Sequence, residues 1–243
     1  MHGREELIGF NQYNRDRWVT RIAERLPQGT HILDLGAGQC RYRSLFQHCD
    51  YKAQDFGKYQ GTSGGLLKED WNYGQLDEVC DASAIPFGDS SFDAVLCTEV
   101  LEHVPEPIKV LKEIGRILKV EGWAFISAPL GSGLHQQPFH FYGGFTPYFY
   151  NHFLSELGFE VLLIEPNGRF FRMLLQEMNR SISIIQTHRW YPLWHPVRWL
   201  LRGASSYRVA KWLTQLDDEI PIEEFTVGYH VEARKVRNIG EKL

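Results

Sequence analysis

A short apolar segment that runs directly into two glycines constrains the fold of this chain more than any other feature. The segment His31 to Leu35 predicts a buried strand, and Gly36 and Gly38 follow it in a Gly-x-Gly turn. Glycine allows the backbone to turn tightly and allows a ligand to approach the main chain closely. A helix is expected next, near residues 39–48. A strand, a glycine turn and a helix in this order are typical of nucleotide-binding α/β folds.

Further strands and helices alternate along the chain after this turn. Apolar or alternating runs predict strands at 51–54, 76–80, 92–98, 122–127, 159–164 and 225–233, and a loop over 56–75. Apolar residues at helical spacing predict helices that end before Pro27 and that span 107–118 and 146–157. Strands that alternate with helices indicate a parallel, doubly wound sheet.

Composition limits the classes of protein to which the chain can belong. The net charge of −4 over 243 residues argues against a nucleic-acid partner, because a phosphate backbone favours an excess of Lys and Arg. Cys40, Cys49, Cys80 and Cys97 form no C-x-x-C pair, which indicates free thiols and a cytoplasmic setting. No apolar leader and no run of about 18 apolar residues is visible. The length of 243 residues fits one sizeable domain, so we expect a single domain over residues 1–243.

An aromatic-rich stretch at 167–221 precedes the last predicted strand. We interpret it as a helical insertion, and three roles stay open. It could cover a hydrophobic or glycan acceptor as a lid, rest on a membrane surface, or pack into its own core or a homodimer contact. Its aromatic residues are Trp190, Tyr191, Trp194, Trp199 and Trp212, with Arg189, Arg198 and Arg202 nearby.

Acidic residues stand at the predicted ends of three successive strands. Asp34 precedes the first glycine, Asp55 closes the second strand, and Asp81 follows the third. An acid at the second position can accept hydrogen bonds from both ribose hydroxyls. An acid at the third could accept from an adenine amino group while the Ala82 N–H donates to the ring. The alternatives are a solvated Asp55 and an Asp81 that only caps a turn.

The glycine pattern argues against one class of nucleotide-binding enzyme. The dinucleotide fingerprint G-x-G-x-x-G would need a third glycine where this chain has Arg41. That glycine allows close packing of helix on strand beside a pyrophosphate. An NAD-dependent oxidoreductase is therefore disfavoured.

Taken in order, these segments resemble class I S-adenosylmethionine-dependent methyltransferases, specifically the methyltransferase type 11 branch. The matching segments are LDLGAGQC, the acid at Asp55, CDASAIPF, SSFDAVLCTEVLEHVPEP and RILKVEGWAFISAP, and the resemblance covers about residues 28–165 and the final strand. It implies a Rossmann-like, mostly parallel sheet of seven strands in the order 3-2-1-4-5-7-6, with the last strand antiparallel and helices on both faces. Cys40 is a departure, because the family often has a third glycine there.

The resemblance also implies a cofactor and a reaction. S-adenosylmethionine would be the methyl donor, and a small molecule, either free or linked to a lipid or sugar, would be methylated at oxygen. The alternative is a non-catalytic cofactor-binding or partner subunit with the same fold. The implied cofactor contacts are Asp34, Gly36 and Gly38 for the methionine and ribose portion, Asp55 for the ribose, Asp81 and Ala82 for the adenine, and Thr98 near the methyl group.

Histidines near the strand ends are the candidate general bases. His135 and His140 lie in the loop after the fifth predicted strand, and His103 and His152 are further candidates. Ligands of parallel α/β sheets bind beyond the carboxyl ends of the strands, so we expect the loop with His135 and His140 to face the site. Ordinary loop histidines with structural hydrogen bonds are the alternative.

The segment Glu99-Val100-Leu101-Glu102-His103 raises the question of a metal. It is similar to the metal-binding segment of ubiquinone-biosynthesis O-methyltransferases and of small-RNA 3′-terminal 2′-O-methyltransferases. Two carboxylates and an imidazole could hold Mg²⁺ against an acceptor oxygen. The same segment is nevertheless common across type 11 enzymes, and we predict no metal ligand from it.

Overall fold

Seven strands and six helices make up the described part of the chain, which comprises residues 3–61, 71–187 and 207–238 of a computed structural model. The helices are α1 (Arg4–Ile8), α2 (Phe10–Arg25), α3 (Pro107–Ile117), α4 (Pro147–Glu156), α5 (Phe170–Thr187) and α6 (Tyr207–Glu219). The strands are β1 (His31–Leu35), β2 (Asp50–Asp55), β3 (Glu78–Val79), β4 (Phe92–Thr98), β5 (Leu118–Pro129), β6 (Phe159–Pro166) and β7 (Gly228–Lys235).

All seven strands belong to one sheet, in the order β3-β2-β1-β4-β5-β7-β6. The pairs β1–β2, β1–β4, β2–β3 and β4–β5 are parallel, and β7 runs antiparallel to β5. The strand order and the antiparallel last strand implied by the resemblance are therefore confirmed. Leu35 pairs with both Gln54 and Cys97, so β1, β2 and β4 end at one edge of the sheet.

The sheet is buried on both faces, as the apolar run of β4 predicted. Val95 and Cys97 of β4 belong to the core on the face of α3 and α4, whereas Ala94 and Leu96 belong to the core on the face of α2. Successive side chains of a strand point to opposite faces, so this partition follows directly from the pleat. The amphipathic helix α3 begins at Pro107, a favourable first helical position because proline has no N–H to satisfy there.

Polar side chains of β7 are buried and paired rather than solvated. Trp18 of α2 donates its indole N–H to Glu232 Oε1 at 3.0 Å, and Arg25 forms an ion pair with the other oxygen at 2.5 Å. The Trp18 ring also stacks on His230 with centroids 4.7 Å apart. These contacts fix α2 against the antiparallel strand of the sheet.

The prediction of a helix near residues 39–48 is wrong. Only a 3₁₀ turn over Arg43–Phe46 is present, and backbone hydrogen bonds from Arg43 to Cys40, from Leu45 to Tyr42 and from Cys49 to Phe46 close it at three-residue spacing. Cys40 adopts a φ of +53°, which no right-handed helix accommodates. Cys40, at the position of the family's third glycine, therefore takes a left-handed backbone conformation through which a helix cannot pass.

Two predicted strands are shorter in the structure, whereas those expected over residues 51–54, 122–127 and 159–164 are longer. The third was expected over residues 76–80, but β3 has only two residues, and just before it the Asp77 carboxylate accepts the Ala53 N–H at 2.8 Å. The last was expected from Phe225, but β7 begins at Gly228, which pairs with Pro129 at the end of β5. Among the described residues, no neighbouring strand extends beyond the pair formed by Gly228 and Pro129.

The described residues form two compact units, one drawn from residues 1–17 with 166–227 and the other from residues 18–165 with 228–243. In the first of these units, Leu7 of α1 forms a small core with residues of α5 and α6. The buried Asp217 carboxylate accepts backbone N–H groups at the start of α5 and thus caps that helix. Trp212 is exposed, and Trp190, Tyr191, Trp194 and Trp199 lie outside the described residues.

None of the described helices is long and apolar enough to span a membrane.

Replacement of Trp18 by alanine tests the α2–β7 contact. Trp18 is fully buried, so Trp18→Ala should lower the free energy of unfolding by about 3–5 kcal/mol. Trp212→Ala, at a position that is 58% exposed, is the control and should change it by less than about 0.5 kcal/mol. Urea denaturation followed by circular dichroism measures both. Equal effects of the two substitutions would contradict the buried contact.

Candidate active site

The glycine turn after β1 requires glycine at both positions. Gly36 and Gly38 have φ values of +71° and +50°, in the left-handed region that side chains disfavour. A methyl group on Gly36 would overlap the Val100 side chain, and one on Gly38 would lie 2.9 Å from the Trp71 ring. The turn therefore presents bare backbone at the edge of the sheet.

Asp55, the last residue of β2, faces this turn. Its Oδ2 accepts the Gly38 N–H at 3.0 Å and its Oδ1 accepts the Gly57 N–H at 3.0 Å. Burial raises the pKa of the carboxyl, while the backbone N–H donors act in the opposite direction. The structure thus brings Asp55 and Gly38 together, with the carboxylate fixed by two backbone donors.

Gln54 is a site residue that the sequence analysis missed. Its side chain accepts the Gly36 N–H at 3.3 Å and donates to the Cys80 carbonyl at 2.6 Å, and its backbone carbonyl accepts the Ala37 N–H at 2.9 Å. It is almost completely buried. The sequence signal that could have identified Gln54 is an amide side chain near the end of β2, directly before Asp55.

Asp34 occupies a closed environment at the end of β1. It is 2% exposed, and its Oδ2 accepts the Tyr51 hydroxyl hydrogen at 2.5 Å. Burial raises the pKa of the Asp34 carboxyl to about 7, and the Tyr51 hydroxyl partly offsets that rise. The side chain is therefore partly protonated near neutral pH.

Asp81, Ala82 and Thr98 follow β3 and β4. Asp81 Oδ1 accepts both the N–H and the hydroxyl of Ser83, at 2.8 and 2.7 Å, and these hydrogen bonds lower the pKa of its carboxyl. The turn-capping arrangement considered from the sequence is therefore present. Ala82 is buried beside it, and Thr98 is half-buried at the end of β4.

The three histidines selected from the sequence form one cluster. The ring centroids of His103 and His135 are 4.8 Å apart, those of His135 and His140 4.5 Å, and those of His103 and His140 5.8 Å. His152, by contrast, lies on α4 with its Nε2 3.5 Å from Glu156. His103, His135 and His140, here called the histidine cluster, are the ones that the fold gathers.

Backbone carbonyls orient two members of the histidine cluster. His103 Nδ1 lies 2.6 Å from the Phe139 carbonyl oxygen, and His135 Nδ1 lies 2.9 Å from the Gly133 carbonyl oxygen. Because a carbonyl oxygen only accepts hydrogen bonds, each Nδ1 carries the proton in the neutral ring. Burial also lowers the pKa of His103 to about 4, so this imidazole is neutral at physiological pH.

An aromatic contact connects the histidine loop with the edge of the sheet that carries Asp55. Phe56 follows Asp55 directly, and its ring packs edge-on against Phe139 with centroids 4.9 Å apart. Phe139 in turn holds His103 through its carbonyl oxygen. The loop after β5 therefore lies next to the end of β2 that carries Asp55.

The two acids of the E-x-x-E-H segment have different surroundings. Glu99 has a φ of +54°, and its Oε1 accepts the Ser127 hydroxyl hydrogen at 2.8 Å. Glu102 is 1% exposed, and its Oε1 lies 3.7 Å from His103 Nε2. Among the described residues, Glu102, His103 and His135 offer ligand atoms that all lie within 4.8 Å of one another.

Comparison with known families agrees with the fold. Residues 33–126 match the type 11 methyltransferase domain model, and this span contains β1, the glycine turn, Asp55, Asp81 and the E-x-x-E-H segment. Over these residues the chain is similar to a methyltransferase domain. Domains of this family use S-adenosylmethionine, so the cofactor class inferred from the sequence is confirmed.

Curated relatives of the methyltransferase domain act on small molecules. The chain is 50% identical to a ubiquinone biosynthesis O-methyltransferase of Paracidovorax citrulli over 117 residues, which are 45% of this chain and 47% of that protein. It is 25% identical to a sarcosine/dimethylglycine N-methyltransferase of Halorhodospira halochloris over 187 residues, or 70% of this chain and 67% of that one. The chain thus matches about half to two thirds of these relatives.

A solved structure supports the fold over nearly the whole chain. A SAM-dependent methyltransferase from Archaeoglobus fulgidus superposes with a TM-score of 0.56 at 17% identity, covering 95% of this chain and 97% of that one. At this identity the likeness concerns the fold alone.

The raised pKa of Asp34 predicts a pH dependence of stability. The carboxyl ionises near its usual value of 3.8 in the unfolded chain but near 7 in the folded one. Without cofactor, its contribution should be fully present below about pH 4 and lost as the pH rises through 7. The difference corresponds to about 4 kcal/mol at most.

Asp34→Asn, which does not titrate, provides the reference for this measurement. Denaturant unfolding of both proteins between about pH 4.5 and 8 should show the wild type losing stability relative to the variant. Tyr51→Phe removes the donor that favours ionisation, and should extend the loss to higher pH. Parallel pH profiles for wild type and Asp34→Asn would rule out the raised pKa.

Proposed function

We propose that this protein is an S-adenosylmethionine-dependent methyltransferase that transfers the methyl group to an oxygen atom of a small, partly apolar acceptor. The observation that carries the proposal is the Asp55 carboxylate, held by the N–H groups of Gly38 and Gly57 beside a bare glycine turn. The 50% identity with an O-methyltransferase over 117 residues supports oxygen as the acceptor atom.

The residues at the sheet edge fit the cofactor chemically. Gly36 and Gly38 add no side chain to the turn that Asp55 faces, and Asp55 is an ionisable acceptor suited to two ribose hydroxyls. Asp34 is a second, enclosed carboxyl that bonds Tyr51 below the turn, and Asp81 with Ala82 and Thr98 stand at the ends of the neighbouring strands. When bound, S-adenosylmethionine supplies a methyl group on a sulfonium, which is already a good leaving group.

The main task of the chain is therefore to align the acceptor oxygen with that methyl group. Such alignment can lower the activation barrier by about 7–11 kcal/mol. Two members of the histidine cluster, His135 and His140, lie on the loop that Phe56 and Phe139 connect to the sheet edge. His140 Nε2 lies 3.1 Å from Ser132 Oγ, and its half-buried ring is well placed to take a proton from an acceptor hydroxyl.

An apolar cavity next to the histidine loop supports a partly apolar acceptor. It has a volume of about 560 Å³, and its apolar lining consists of Pro105, Pro107, Ile108, Tyr142, Phe145 and Phe149. The Tyr142 hydroxyl donates to the Pro105 carbonyl oxygen at 2.9 Å, and the backbone N–H groups of Phe141 and Tyr142 donate to the Glu102 carbonyl oxygen. The wall of this cavity is thus continuous with the turn that carries His103.

Substitution of Asp55 tests the cofactor site. Asp55→Asn should weaken binding of S-adenosylhomocysteine by about 10- to 100-fold, because a hydrogen bond to a charged group contributes about 1.5–3 kcal/mol. Asp50→Asn is the matched control, since Asp50 begins the same strand and only pairs with His31 at the surface. Isothermal titration calorimetry measures both affinities. Unchanged affinity in Asp55→Asn would remove the central support for the site.

A panel of acceptors tests the reaction. The wild type is incubated with S-adenosylmethionine and a phenol, the same phenol with an alkyl tail, a sugar, or sarcosine, and release of S-adenosylhomocysteine is followed. We expect turnover of the phenols, with a lower KM for the tailed one. Preference for sarcosine would assign nitrogen as the acceptor atom. Tight cofactor binding without turnover of any class would favour a non-catalytic subunit.

A further inference from the structure

We propose that an aromatic cluster beside the glycine turn distinguishes the positively charged methyl donor from its neutral product. The cluster consists of Tyr59, Trp71 and Tyr73, which lie in the connection between β2 and β3, and Trp71 contacts both of the other rings. S-adenosylmethionine carries a sulfonium cation, whereas S-adenosylhomocysteine, which remains after transfer, carries a neutral thioether. The inference deepens the proposed function and rests on the cofactor site formed by Asp55 and the glycine turn.

The aromatic cluster packs directly on the backbone of the glycine turn. A methyl group on Gly38 would lie 2.9 Å from Cζ2 and 3.2 Å from Cη2 of Trp71, so the indole fills the space beside this glycine. The Gly74 N–H, three residues after Trp71, donates to the Gly38 carbonyl oxygen at 3.0 Å. These contacts hold the indole against the residue of the turn whose N–H binds Asp55.

Contacts within the aromatic cluster fix its three rings. Trp71 packs edge-on against Tyr59, with ring centroids 5.2 Å apart, and against Tyr73, with centroids 5.9 Å apart. Tyr59 is buried, and its backbone N–H donates to the Tyr73 hydroxyl oxygen at 2.8 Å. Burial and the charge of Asp55 raise the pKa of Tyr73, so its hydroxyl stays neutral near pH 7. The cluster is therefore an uncharged aromatic surface next to Asp55.

The position of the aromatic cluster relates it to the sulfur of the cofactor. The resemblance assigns Asp55 to the ribose and Gly38 to the methionine and ribose portion, and the sulfur is covalently bonded to both portions. The cluster borders both of these residues. It therefore adjoins the two parts of the cofactor that the sulfur joins.

An aromatic surface responds to the one property in which donor and product differ most. The face of an aromatic ring attracts a cation within about 6 Å of its centroid, and tryptophan does so most strongly. Aromatic clusters recognise methylated ammonium ions in this way, and a methylated sulfonium carries the same charge. Hydrogen bonds from the ribose hydroxyls to Asp55 are common to both ligands. Discrimination by the cluster would favour replacement of the spent product by a new donor.

Calorimetric titration of the full chain with three ligands tests the inference. S-adenosylmethionine and sinefungin, an analogue with a protonated amine in place of the methylated sulfur, are the charged ligands, and S-adenosylhomocysteine is the neutral one. Trp71→Leu should weaken binding of the charged ligands by about 3- to 30-fold and of the neutral one by less than about twofold. Trp71→Phe keeps an aromatic ring and should retain most of the preference. Trp212→Leu, at an exposed position of α6, should leave all three affinities unchanged.

Fluorinated tryptophan provides a second measurement that preserves the shape of the side chain. Fluorine withdraws electrons from the ring face and thereby weakens its attraction for a cation. The S-adenosylmethionine affinity of protein labelled with mono-, di- and trifluorinated tryptophan should fall with each added fluorine, while the S-adenosylhomocysteine affinity stays constant. The same series in Trp71→Phe should show no such trend, which assigns the effect to Trp71.

Two outcomes would overturn the inference. One is an equal loss of affinity for all three ligands in Trp71→Leu, because the aromatic cluster would then only shape the loop. The other is an S-adenosylmethionine affinity that does not depend on fluorination. Binding of S-adenosylhomocysteine by the wild type and by Asp55→Asn reports on the cofactor site itself, so failure of the proposed function is distinguished from failure of the charge discrimination.

Discussion

One buried amide, that of Gln54, joins the strand ends on which the whole site depends. Its side chain connects the glycine turn after β1 with the Cys80 carbonyl after β3, while its own backbone belongs to β2. A buried amide that loses its partners costs about 1–3 kcal/mol, so these hydrogen bonds hold the three segments in a single arrangement. Asp55 follows Gln54 directly and is therefore placed by the same residue that shapes the turn it faces.

The antiparallel strand β7 depends on a comparable pairing of buried polar groups. Its position between β5 and β6 places Glu232 under α2, where Trp18 and Arg25 bind both carboxylate oxygens. Lys235 is likewise buried and donates to the Leu118 carbonyl oxygen at 2.7 Å. The alternation of apolar and polar residues along β7 therefore does not mark a solvated face, since the polar side chains have partners within the fold.

The apolar runs and the helical spacing of apolar residues predicted the fold well, because the buried face of a strand or helix is encoded by residues close together in the sequence. The bounds of β1 and β4 and the strand order were confirmed. The φ of Cys40, the Tyr51 hydroxyl on Asp34 and the role of Gln54 were not predictable. Each depends on a backbone angle or on a partner that only the folded chain brings near. The histidines were recognised individually, but their orientation by carbonyl oxygens was not.

The close approach of Val100 to Gly36 has a consequence for how such a chain can change. The two residues lie 64 positions apart, yet the space that one leaves is filled by the other. A mutation at Gly36 therefore needs a smaller residue at position 100 to be tolerated sterically, and the φ of Gly36 restricts even that double exchange. The turn after β1 and the segment after β4 therefore share one steric constraint.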